Sequence, residues 1–204
     1  ASPRQRIYKA SVQSLVAEVR RCELLGAQYL VVHLGSHLGS GAVAGSERVI
    51  QAVSEALSSG GTTILLENTA GSLNSMGSAF DEISNILDKV GKAVSVCLDT
   101  CHAFASGYDM RDDAAIDGTL GEFDERIGMK RLRVIHANDS KGALGSRLDR
   151  HEHIGLGKIG IRGFRCLLTH PKVRGIPLIL ETPIDRRRDD YGNMRIIRKL
   201  ARIA

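Results

Sequence analysis

The chain has 204 residues, 43% hydrophobic and 25% charged, with 22 Gly, 4 Pro and 4 Cys, proportions that exclude a disordered tail, a collagen-like repeat and a small disulfide scaffold. No apolar run approaches the roughly 20 residues of a bilayer span, so no membrane partner is expected, and the opening Ala1-Ser2-Pro3-Arg4 carries no apolar signal-peptide core. The formal charge of +5 is uneven: Lys141 to Ala204 holds 15 Lys and Arg against 6 Asp and Glu, which suits a polyanion such as nucleic acid as well as it suits a solvated basic face.

In chain order, Tyr8, Val12, Leu15, Val19 and Cys22 recur at steps of four and three, which predicts an amphipathic helix closing at Gly26. Leu30-Val31-Val32 reads as a strand, Val49, Val53 and Ala56 after Ser46 as a second helix, and Ile64-Leu65-Leu66 as the next strand. Phe80, Ile83, Leu87 and Val90 mark a third helix, with Ser78 and Asp81 placed as a capping box. Val94 to Leu98 is the third strand, Ile116, Leu120, Phe123 and Ile127 a fourth helix, and Val134-Ile135 the fourth strand. A short fifth helix follows on Ile161, Phe164 and Leu168, then the strand Leu178-Ile179-Leu180 and a basic last helix around Met194, Ile197 and Ile203. Apolar runs this short and this continuous are the habit of parallel strands buried on both faces. Strand and helix alternate without a Pro/Ser-rich linker, so residues 1–204 are expected to form one α/β domain of βα repeats.

Cys22, Cys97, Cys101 and Cys166 form no close pair of the zinc-finger kind. Free, mostly buried thiols in a reducing cytoplasm are expected. A strand running through Asp99 would put Cys97 and Cys101 on its face.

The residue that ends each strand carries the functional signal. After the five apolar runs come His33, Glu67, Asp99, His136 and Glu181, separated by 34, 32, 37 and 45 residues, one βα unit each. Asp, Glu and His make up 30 of 204 residues, so five such hits by chance come to about one in ten thousand. Any one of them alone reads as a helix cap or a surface polar group. Five side chains at the carboxyl ends of neighbouring parallel strands converge where βα folds place their chemistry.

Two imidazoles and three carboxylates without a thiolate suit Zn, Mn or Fe. His102 follows Asp99 by three residues, and Asp149 and His151 sit two apart in a loop, so an extended backbone aims both the same way. Eight donors exceed what one catalytic ion needs and point to a multinuclear cluster. Paired divalent ions about 4 Å apart activate water against a phosphodiester, whereas a lone ion suits aldose isomerisation.

The segments His33-Leu34-Gly35-Ser36-His37, Glu67-Asn68-Thr69-Ala70-Gly71, Cys97 to Ala103, Ser146 to His151 and Leu180-Glu181-Thr182 resemble those of the endonuclease IV family of zinc-dependent apurinic/apyrimidinic endonucleases, with Asp99 to Asp109 the most specific run. The resemblance covers essentially the whole chain. It implies a TIM barrel with three zinc ions at its carboxyl face. By the same resemblance His33 binds the first ion and Glu67 bridges it to the second; Asp99, His136 and Glu181 complete the second site; His102, Asp149 and His151 hold the third.

The family's first ion takes one more histidine, from a strand ahead of the helix that opens this chain, and a whole barrel needs eight strands and roughly 250 residues. The expectation is therefore an incomplete TIM (β/α)8-type barrel of about five parallel strands lacking the first three βα units. It would be either N-terminally truncated or completed by another chain or segment, with two open sheet edges. Leu34 stands where the family usually has Pro, with little effect expected.

The resemblance further implies hydrolysis of the phosphodiester 5′ to an abasic site in double-stranded DNA, trimming of blocked 3′ ends, and a cytoplasmic, nucleoid-associated enzyme. Glu67, Asp99 and Glu181 are the catalytic candidates, with Glu181 also orienting or deprotonating the attacking water. Arg150, Lys141 and His37 are candidate DNA contacts, a solvated charge being the alternative for the first two. His153 and His170 read as ordinary polar residues. The competing readings are a metal-dependent sugar isomerase or epimerase on the same barrel type, and an inactive metal- or DNA-binding fragment.

Overall fold

The computed structural model describes residues 1–201; Ile203, assigned above to the last helix, lies outside them. Five parallel strands, β1 (Tyr29–His33), β2 (Thr63–Glu67), β3 (Val94–Asp99), β4 (Leu132–His136) and β7 (Leu178–Ile179), form one sheet in the order β1-β2-β3-β4-β7. Between them run α1 (Gln5–Leu25), α2 (Ala42–Leu57), α3 (Phe80–Val90), α4 (Thr100–Ser106), α5 (Asp113–Arg126), α6 (Gly160–Thr169) and α7 (Asp190–Leu200), with a short antiparallel ribbon of β5 (Asp139–Ser140) and β6 (His151–Glu152) after β4. All five expected strands are present. The curved βα array of an incomplete barrel follows from their sequential, parallel order. Among the described residues no helix is long and apolar enough to cross a membrane.

Strand alternation sorts the apolar residues into two sets. Ile64, Leu66, Val94, Val96, Leu98 and Ile135 pack with Val19, Val49, Val53, Ile83, Leu87, Leu120, Phe123, Phe164 and Ile197 of the helices in the main core. Leu65, Cys97 and Val134 form a separate cluster with Tyr29 and Val31 on the other face. Along that second face the next residues up the strands are His33, Glu67, Asp99 and His136, so one alternation produces both the core and the candidate site. Each core side chain removed from water contributes roughly 1.5–3 kcal/mol.

One irregularity sets the phase of β4. Val96 pairs with Leu132 but Cys97 pairs with Val134, which leaves Arg133 as an extra, exposed residue. This bulge keeps Val134 beside Cys97 and brings His136 level with Asp99. With no bulge Ile135 would stand beside Asp99 and His136 would point into the helices.

Several local expectations are corrected. Ser78 and Asp81 make no capping box: Ala79 is the N-cap of α3 without a side-chain bond, and the Gly77 N–H is taken instead by the Glu82 carboxylate. Cys101 is not on a strand with Cys97 and Asp99, because the chain turns into α4 at Thr100. Helix α1 does end at Gly26, which adopts φ 67 as a left-handed cap. All four cysteines are free, Cys97 and Cys101 buried. Leu34 is buried under Gly77, whose φ is +90.

Candidate metal centre

The carboxyl ends of the strands meet as expected. Glu67 stands at the centre, with Oε2 3.1 Å from His33 Nε2, and Oε1 3.0 Å from His136 Nδ1 and 3.5 Å from His102 Nδ1. His136 Nδ1 also lies 3.1 Å from Glu181 Oε2. A second grouping joins His102 Nε2 to Asp149 Oδ1 at 3.3 Å, with His151 Nε2 3.9 Å from the same oxygen and 3.7 Å from Asp99 Oδ2.

The donor atoms fall into sets within 4.8 Å of one another: His33, Glu67 and His102; Glu67, Asp99, His136 and Glu181; and His102, Asp149 and His151. Asp99, Cys101 and His151 form a further set that the sequence reading did not anticipate. All eight donors singled out from the sequence are thus brought together, and Glu67 is shared by two sets. Glu67, Asp99, His102 and His136 are buried and form the floor; His33, Asp149 and Glu181 are exposed and form the rim.

Local structure explains the Asp99–His102 spacing. Asp99 ends β3 and is the N-cap of α4, its Oδ1 accepting the His102 N–H at 2.7 Å. An N-cap carboxylate and the third residue of the following helix face each other by construction, which seats His102 on the first turn. Asp149 and His151 are held by the ribbon, where the Lys141 N–H donates to Arg150 O at 3.0 Å and Asp139 pairs with Glu152.

Two buried asparagines were not read from the sequence. Asn68 exchanges hydrogen bonds with the Asp99 backbone, Nδ2 donating to O at 3.0 Å and Oδ1 accepting N–H at 2.7 Å, and so continues the β2–β3 ladder past its end. Asn138 lies between Asp99 and Glu181. Each follows a strand-end donor by one or two residues, Asn68 after Glu67 and Asn138 after His136; that proximity is the signal that could have flagged them.

The electrostatics follow from crowding. Burial opposes ionisation of Glu67, but hydrogen bonds from His102, His136 and His33 outweigh it and hold its carboxyl far below the usual range. Burial works against a charge on His136, yet hydrogen bonds to Cys97, Glu181 and Glu67 push it up to about 12. His102 likewise overcomes its burial through Glu67, Asp99 and Asp149, rising to about 9. Asp99, fully enclosed, is raised by burial, and Glu181 is lowered by its bond to His136. His33 is raised as well, by its hydrogen bond to Glu67, and a site that draws protons onto three carboxylate-facing imidazoles is a site with unmet negative charge.

Arg150 and Lys141 are exposed neighbours across the ribbon mouth, beside Asp149 and His151. His37 belongs to none of the donor sets; it is half-buried, with Nδ1 accepting the Gly41 N–H at 3.2 Å. His153 is completely buried, 3.0 Å from Asp185 Oδ1, and His170 pairs with Asp117.

A family model described as xylose isomerase-like TIM barrel matches residues 1–202. The chain is 54% identical to "Probable endonuclease 4" of Methanoculleus marisnigri, over 98% of this chain and 73% of that protein. It is 50% identical to the protein of the same name from Cenarchaeum symbiosum, with the same coverage. This chain belongs to the endonuclease IV family. Among solved structures, endonuclease IV from Thermus thermophilus superposes with a TM-score of 0.82 at 37% identity, covering 95% of this chain and 69% of that one. For an endonuclease IV-type barrel, the rim and floor described above lie at the strand ends where this fold class carries its chemistry.

Proposed function

We propose that this chain acts as a DNA-repair endonuclease that hydrolyses the phosphodiester 5′ to an abasic deoxyribose in double-stranded DNA, and trims blocked 3′ ends, with a cluster of three zinc ions, Mn2+ or Fe being the substitutes. The observation that carries this reading is the sharing of Glu67 between the His33–His102 side and the Asp99–His136–Glu181 side of one pocket. Its Oε2 faces His33 and its Oε1 faces His102 and His136, an arrangement that suits a pair of divalent ions.

The residues present fit such a cluster. His151 Nε2 is buried and without a hydrogen-bond partner among the described residues, although two carboxylates lie within 4 Å of it. A buried imidazole nitrogen left unpaired costs free energy that a cation would recover. By donor type, His33 and Glu67 would hold the first ion, Glu67, Asp99, His136 and Glu181 the second, and His102, Asp149 and His151 the third. Bound there, divalent ions polarise the phosphate and lower the proton affinity of water.

The chain's own groups do the remaining work. Water attacks phosphorus, the bond from phosphorus to the upstream 3′ oxygen breaks, and that oxygen takes the proton. Products are a 3′-hydroxyl and a 5′-deoxyribose phosphate. Glu181, ionised and on the open rim, is placed to orient the attacking water and accept its proton. Arg150 and Lys141 meet the DNA backbone next to the rim, and His37 approaches from the β1–α2 loop. A base-free sugar is extruded at lower cost than a stacked nucleotide.

The test is a nicking assay on a duplex with one abasic site, with and without chelator, alongside a metal count by elemental analysis. Chelator-sensitive incision on the 5′ side with near three zinc per chain is expected. Duplex binding without incision would overturn the enzymatic reading in favour of a binding fragment. Interconversion of free sugars without incision would favour the isomerase.

A further inference from the structure

Asn138 is fully buried, and all its polar side-chain atoms are committed to the site. Oδ1 accepts the Glu181 N–H at 2.8 Å; Nδ2 donates to Asp99 Oδ2 at 2.6 Å and lies 3.3 Å from Glu181 Oε2. Its backbone is held separately: its N–H donates to Thr100 Oγ1 at 2.9 Å, and its carbonyl accepts the Thr100 hydroxyl at 2.7 Å. Asp99 and Glu181 come from strands that do not touch, since β4 lies between β3 and β7. One amide therefore spans the width of β4, and among the hydrogen bonds of the described residues it alone grips both carboxylates.

The residue type suits that task. Two carboxylates converging in a low-dielectric pocket repel each other. A Lys or Arg between them would cancel the negative field that attracts a cation. An Asp would add to the repulsion, and a Gln would be one methylene too long for a gap closed at 2.6 Å. A neutral amide donates to both oxygens, leaves their charge intact and anchors the Glu181 backbone with its own carbonyl.

We propose that Asn138 is a positioning residue that fixes Asp99 and Glu181 as a facing pair ready to share one cation, a role resting on the metal reading above. Groups that orient metal ligands typically change affinity by 10–100-fold when removed. Thr100 supplies the matched comparison, because Thr100→Val loosens the same turn while touching neither carboxylate side chain.

Metal-free wild type, Asn138→Ala, Asn138→Leu and Thr100→Val are melted by circular dichroism, then titrated with Zn2+ against a chromophoric chelator. Asn138→Leu keeps the branched shape without the polar atoms and guards against a collapsed cavity. Both Asn138 variants are expected to fold and to bind at least one zinc about 10–100-fold more weakly, whereas Thr100→Val loses melting temperature and retains wild-type zinc affinity. Unchanged affinity in the Asn138 variants, an equal loss in Thr100→Val, or failure of both Asn138 variants to fold would overturn the inference while leaving the metal reading intact. A wild type that takes up no zinc would overturn both.

Discussion

Asp99 and His102 are joined by a 2.7 Å hydrogen bond from the His102 backbone N–H to Asp99 Oδ1, so the carboxylate that closes β3 also opens α4. One side chain thus serves both the fold and the site.

Asp99→Asn keeps an N-cap of equal quality but removes the charge. Because Asp99 Oδ2 also accepts from Asn138 Nδ2, the new amide sets two buried donors face to face, so folding stability is expected to fall by about 1–3 kcal/mol, while incision of abasic DNA falls at least about 100-fold. Thermal melts and the nicking assay read the two outcomes; a folded variant that incises at the wild-type rate would contradict a role for the charge.

Metal uptake is expected to release protons and to tighten with pH. In the metal-free site His102 is raised to about 9 and His136 to about 12, so both carry protons at neutrality and must lose them to coordinate. Calorimetry of zinc binding in buffers of different ionisation enthalpy should show proton release near pH 7. A buffer-independent enthalpy would contradict it.

The same shifts set the stability of the metal-free protein. Histidines with raised values stabilise fully below their unfolded value of about 6.5, and that contribution fades as pH climbs through the folded values. Glu67, shifted down, stabilises above its unfolded value of about 4.3 and fades as pH falls. Melts in chelator are expected to peak between about pH 5 and 6.5 and to decline toward pH 9.

Gly77 has φ +90, and a Cβ there would sit 2.8 Å from Leu34 Cδ1. Gly77→Ala is expected to cost about 1–3 kcal/mol from strain and overpacking. Adding Leu34→Ala should recover the steric part only, which a denaturant-melt double-mutant cycle would reveal as coupling between the two sites.

Arg150→Ala and Lys141→Ala are each expected to weaken duplex binding and to reduce the salt slope by about one unit, with little change in saturated turnover. Fluorescence anisotropy across a salt series measures this. An unchanged slope would make both residues plain surface charges.

Much of the site was legible in the sequence because the apolar runs of parallel strands end abruptly, although only β2, β3 and most of β4 are buried and the edge strands β1 and β7 are half-exposed. His33, Glu67, Asp99, His136 and Glu181 were found by where hydrophobicity stops, and that boundary is a property of the one-dimensional pattern. His102, Asp149 and His151 were found by spacing. The rest depended on features with no period. Asn68 and Asn138 act across strands through single amides, and their only mark in the sequence is that each follows a strand-end donor by one or two residues. Helix α4 was missed because seven residues are too few to show a repeat, and Cys101 was placed wrongly for the same reason. The Asp149–His151 pair needed the ribbon of β5 and β6, each two residues long, to face the pocket, and strands so short leave no alternation to read.

The extra residue at Arg133 makes β4 sensitive to parity. Adding or deleting one residue between Leu132 and His136 would exchange the side that meets the helices with the side that meets Asp99, whereas adding two would restore the order with a longer edge. Grafting this pocket onto another barrel therefore demands an odd-even match in that strand, a stricter condition than copying the eight donor side chains themselves.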